Sequence, residues 1–103
     1  RVDIPTGTTG QTGNIPYRYE LYQNYPNPFN PATTIKYDLP EATNVKLTVY
    51  DLLGRVAAEL VNGNQEAGRY EVKMDATMLA SGVYFYKIKA GEFTSIKKMI
   101  IIK

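Results

Sequence analysis

From residue 33 onward, apolar side chains recur at every second position in short runs, and each run ends at residues that turn the backbone. This period sends alternate side chains to opposite faces of an extended chain, so it predicts half-buried strands rather than amphipathic helices. Ile35, Tyr37 and Leu39 share one face of Thr34–Leu39, which Pro40 ends. Val45, Leu47 and Val49 share one face of Val45–Tyr50, and Asp51-Leu52-Leu53-Gly54 follows as a connection with Gly placed for a left-handed residue. Arg55–Val61 contains Ala57, Ala58, Glu59 and Leu60, which favour helix. Its short length and the hairpin-type Asn62-Gly63 after it favour a strand. Tyr70, Val72 and Met74 alternate again, and Asp75–Leu79 predicts one capped helical turn. Gly82 introduces Val83–Lys89, with Tyr84, Tyr86 and Ile88 on one face, and Gly91 introduces Phe93–Ile102. With a short strand at Glu20–Tyr25 the count is seven, which predicts an all-β antiparallel sandwich.

Two segments break the alternation. Residues 1–19 include Thr6-Gly7-Thr8-Thr9-Gly10-Gln11-Thr12-Gly13-Asn14, a stretch without apolar period or charge. That composition predicts an extended linker, leaving residues 20–103 as one domain. Tyr25-Pro26-Asn27-Pro28-Phe29-Asn30-Pro31 carries three prolines, which forbid a helix or an interior strand. Asn27 and Asn30 are the expected partners of local backbone, and Tyr25 and Phe29 are expected to plug the end of a core.

The chain is poorly equipped for catalysis. It has no Cys, so no disulfide, thiolate nucleophile or cysteine-bound metal is available. It has no His, which excludes imidazole bases and histidine-ligated metals. Its ten acidic residues form no recognisable acid/base pair, phosphate loop or calcium loop. The expectation is a non-enzyme with no catalytic residue, cofactor or metal. The net charge of +2 is too small to argue for nucleic acid or an anionic membrane by itself, and no nucleic acid is expected as a partner. It conceals an asymmetry, because Lys87, Lys89, Lys97, Lys98 and Lys103 face only Glu92 after residue 86. Those lysines read either as protection of an edge strand or as a basic surface that a partner recognises. The nine tyrosines read as strand and core residues, with a carbohydrate-stacking platform as the rival. The longest apolar run, Met99–Ile102, is far too short to span a bilayer. The chain opens on Arg1 without a signal peptide, which reads as a piece of something longer.

Several motifs carry a resemblance. Leu21–Ile35, with its Asn-Tyr-Pro-Asn-Pro-Phe-Asn-Pro core, resembles the opening of C-terminal sorting domains of the type IX secretion system (type A). Val49–Arg55, Ala67-Gly68-Arg69-Tyr70, Leu79–Tyr86 and Lys98–Lys103 follow in the family's order. The second half is also similar to the immunoglobulin-like domain of the flagellar hook-capping protein. The resemblance implies an immunoglobulin-like sandwich that directs a larger, N-terminally fused cargo through the periplasm and the outer-membrane translocon to the cell surface or medium. It also implies a sortase-like peptidase acting at the linker. Carried onto this chain, the candidates for translocon recognition are Pro26, Asn27, Pro28, Gly68, Tyr70, Gly82, Tyr84, Lys98 and Lys103. The alternative is a structural subunit of an extracellular filament or surface assembly. In that homo-oligomer Ile4, Ile15, Tyr17 and Tyr19 would anchor the N-terminal segment on the next copy.

Overall fold

The computed structural model of the chain describes residues 15–103. Among them there are seven strands and no helix: β1 (Glu20–Leu21), β2 (Ala32–Leu39), β3 (Thr43–Tyr50), β4 (Val56–Gln65), β5 (Gly68–Asp75), β6 (Gly82–Ala90) and β7 (Phe93–Ile101). They form a three-stranded sheet in the order β1-β2-β5 and a four-stranded sheet in the order β4-β3-β6-β7, with every strand pair antiparallel. This is the expected sandwich, with one specific arrangement. In constant-type immunoglobulin domains the fourth strand sits in the sheet of the first, second and fifth. Here it lies beside β3 in the other sheet.

The alternation explains the core. Ile35, Tyr37 and Leu39 from one sheet meet Val45, Leu47, Val49, Tyr86, Ile88, Met99 and Ile101 from the other, all excluded from solvent. Removing this apolar area from water is the main stabilising contribution in a domain without disulfides.

Local departures from the sequence reading have physical reasons. β4 runs straight through Asn62-Gly63 because Val45 pairs with Gly63 and Lys46 with Asn62. The chain turns only at Glu66-Ala67, where it leaves one sheet for the other instead of closing a hairpin. The bulges against Leu47/Thr48 and Val49/Tyr50 blunt the alternation of β4, and with it the period of its sequence. Asp75–Leu79 forms a turn rather than a helical one: Leu79 N–H donates to Ala76 C=O at 3.0 Å. The Asp75 carboxylate accepts from Thr77 N–H at 2.8 Å and from the Thr77 hydroxyl. The Asp51–Arg55 connection matches expectation, with Gly54 at φ 83° and the Asp51 carboxylate accepting from Leu53 and Arg55 N–H at 2.9 and 3.0 Å. The N–H of Arg55 thereby holds the Asp51 carboxyl below its ordinary range.

Candidate functional site

The proline-rich segment is tied at both ends. Tyr22 N–H donates to Lys36 C=O at 3.0 Å, and Tyr25 and Thr34 exchange two backbone hydrogen bonds at 3.0 Å each. At the far end Ala76 N–H donates to Pro31 C=O at 2.8 Å. All three X–Pro bonds are cis. The polar interior of the loop is organised by Asn24, which is buried. Its side-chain amide donates to Thr33 Oγ1 and Pro26 C=O at 3.0 and 3.1 Å, and its backbone N–H donates to the Tyr86 hydroxyl at 2.8 Å. That hydroxyl donates onward to Tyr22 C=O at 2.7 Å. A tyrosine from the middle of β6 therefore braces the start of the loop from inside the core.

The outer side of the loop clasps β7. Gln23 Nε2 donates to Lys98 C=O at 2.7 Å, and Ile100 N–H donates to Asn27 Oδ1 at 3.0 Å. Phe29 N–H donates to Ile100 C=O at 3.0 Å, and Ile102 N–H donates to Phe29 C=O at 2.9 Å. Phe29 and Ile101 form a parallel bridge, and the Phe29 ring is buried in the core. β7 is an edge strand, so these groups would otherwise offer a pairing template to any extended chain. The loop occupies that template along Lys98–Ile102.

The sequence-predicted candidates divide accordingly. Asn27, between Pro26 and Pro28, bonds Ile100 at the clasp, and the Lys98 carbonyl is held there by Gln23. Lys103 lies just beyond it, its ammonium donating to Thr77 C=O at 2.6 Å. Gly82 pairs with Ile101 and so opens β6 at the same end, whereas Gly68 pairs with Leu39 at the far end of β2. The two Gly-x-Tyr motifs share one geometry. Tyr70 Oη donates to Glu66 C=O at 2.7 Å, and Tyr84 Oη donates to Ala80 C=O at 2.9 Å, each four residues back. The glycine two residues before each ring has φ of 154° and 148°, values that side-chain-bearing residues rarely adopt. These are tyrosine corners, with the ring fastening the entry to its strand. The expectation for Tyr25 is overturned: only Phe29 plugs the core, and the Tyr25 ring stands in solvent. Asn24, rather than Asn27 or Asn30, satisfies the local backbone.

Of the assembly candidates, Ile15 and Tyr17 are exposed. The Tyr19 ring stacks on Phe93 with centroids 5.2 Å apart, and its hydroxyl donates to Glu41 at 2.8 Å. Ile4 lies outside the described residues. Sequence reasoning missed Gln23, Asn24, Phe29 as a strand partner, and Tyr86. The available signal for Tyr86 was its spacing: it stands two residues after a corner tyrosine, where immunoglobulin domains place a core cysteine.

A family model described as the secretion system C-terminal sorting domain matches residues 23–103. Comparison with curated proteins finds no match. The matched region opens at Gln23, the first residue of the clasp, and runs through the strand that the clasp holds. The chain therefore belongs to the family of secretion system C-terminal sorting domains.

Proposed function

We propose that this domain is the type IX export signal of a larger, N-terminally fused cargo, and that the outer-membrane machinery reads the loop 22–31 and the end of β7 as one composite surface. The observation that carries this reading is the clasp: four hydrogen bonds join Gln23, Asn27 and Phe29 to Lys98, Ile100 and Ile102. Pro26, Asn27, Pro28, Lys98 and Lys103 supply the contacts, while Gly68, Tyr70, Gly82 and Tyr84 hold the shape. Residues 1–19 are the segment at which a sortase-like peptidase would separate cargo from signal. That cleavage follows passage of the cargo through the periplasm and across the outer membrane to the surface or medium.

The test is a reporter fused ahead of the domain in a host with the secretion system. Lys98→Glu combined with Asn27→Ala is expected to hold the reporter in the periplasm while the purified variant still melts cooperatively. Surface display of that folded variant at native levels overturns the composite-surface reading.

A second reading, assembly through the N-terminal segment, rests on the complete exposure of the Tyr17 ring beside a neighbour, Tyr19, that is fastened to the domain. Sedimentation velocity decides it. Higher-order species that vanish in Tyr17→Ala support assembly, and a monomer at every concentration removes it.

A further inference from the structure

The outer face of the three-stranded sheet carries a second feature, which borders the clasp at Gln23. On this face Thr34, Lys36 and Asp38 of β2 stand opposite Lys73, Glu71 and Arg69 of β5. An outer sheet face of this kind is ordinarily an open polar surface. Here the segment from Tyr22 to Tyr25 borders it and makes a shallow trough, with Tyr22 and Tyr25 at its rim and the β2–β5 side chains along its floor.

Two properties of the trough restrict what fits it. The first is its charge. Asp38 and Arg69 pair at 3.2 Å and Lys36 and Glu71 at 3.6 Å, which leaves Lys73 as the single excess charge of the floor. The floor therefore offers hydrogen-bond donors and acceptors side by side with little net field. A nucleic acid or other polyanion calls for a row of uncompensated cations instead. The second property is the rim. Tyr25 is 80% exposed and Tyr22 is 40% exposed, yet both sit on backbone that is hydrogen-bonded to β2. The Tyr22 hydroxyl also donates to Asp38 Oδ2 at 2.6 Å, a contact that pushes its phenol above the ordinary value. The Tyr22 ring, held at its backbone and at its hydroxyl, loses little further freedom when a ligand stacks on it, while Tyr25 presents an open ring from a fixed backbone.

Two exposed aromatic rings, that of Tyr22 held in place, beside a neutralised floor of donors and acceptors are complementary to a ligand that is uncharged, rich in hydroxyls and apolar on its C–H faces. We propose that this trough binds a neutral polysaccharide, with sugar rings stacked on Tyr25 and Tyr22 and hydroxyls bonded to Lys36, Glu71 and Arg69. The site shares Tyr22 and Tyr25 with the loop of the export reading but uses none of the contacts to Lys98–Ile102, so polysaccharide binding and export are read by separate measurements.

Affinity gel electrophoresis and titration calorimetry of the full chain test it. The probes are soluble β-glucan, xylan and galactomannan, with dextran sulfate as the polyanion arm. Retardation by at least one neutral polymer is expected. Tyr25→Ala, at a mainly exposed position, is expected to weaken that binding about tenfold, the scale of one lost aromatic stack. Met78→Ala, also exposed but away from the trough, is expected to bind as the native chain does. The proposal is overturned if no neutral polymer retards the native chain, if only dextran sulfate does, or if Tyr25→Ala binds undiminished.

Discussion

Tyr86 shows how one side chain joins two parts of the molecule. Its ring lies in the sandwich core, and its hydroxyl accepts from Asn24 N–H and donates to Tyr22 C=O. Tyr86→Phe keeps the ring and removes both hydrogen bonds, stranding a buried donor and an acceptor. The expected cost is about 1–3 kcal/mol in urea unfolding, with little change in the denaturant slope. Gly82 poses a cleaner backbone question. A Cβ added there meets nothing within 4 Å, so any penalty in Gly82→Ala comes from its φ of 148° alone. That conformation predicts a loss of about 1–3 kcal/mol, read as a lower melting temperature. A variant as stable as the native chain would show that the glycine is there for access and not for geometry. The two Gly-x-Tyr motifs were visible as sequence, but their meaning was not. A tyrosine at an alternation position reads as core, and the carbonyl four residues back becomes its partner only when the chain bends.

Among the elements, the strands were legible and the loop was not. β2, β3, β6 and β7 follow from period two because each buries one face against the same core. The partners of the loop are far away in sequence, and no local pattern encodes them. Ile100 meets Asn27 across 73 positions and Lys98 meets Gln23 across 75. The composite site was therefore nameable only as separate pieces. Two substitutions separate the loop's packing from its polar grip. Phe29→Ala empties a buried site and is expected to cost about 3–5 kcal/mol. Asn27→Ala removes one exposed hydrogen bond and is expected to cost about 1 kcal/mol or less. Hydrogen exchange at Ile100 is the direct readout, and Asn27→Ala should speed it while the amides paired between β3 and β6 stay protected.

The whole molecule records its tyrosines in its response to pH. Burial pushes the phenols of Tyr37 and Tyr86 up to about 12, above the ordinary value near 10. Between those values the folded chain keeps two protons that the unfolded chain releases. Their contribution is complete below about pH 10 and is lost as pH rises toward about 12. Urea midpoints measured across that window should fall steeply, and Tyr37→Phe should flatten the slope. Sheet membership is the global property the sequence hid. β4 and β5 are neighbours in the chain and lie in different sheets, so the turn between them had no hairpin to announce it.

The clasp also orders events in time. During synthesis the loop is made long before β7, and it waits with Asn27 Oδ1 and the Phe29 amide unpaired until residues 98–102 emerge. Contacts of such separation form late and slowly. A chain cut short before β7 lacks every partner of the clasp, so Gln23, Asn27 and Phe29 lose the groups they bond to at Lys98, Ile100 and Ile102. The junction therefore closes only when the loop and residues 98–102 are both in place, which makes it a late event in folding.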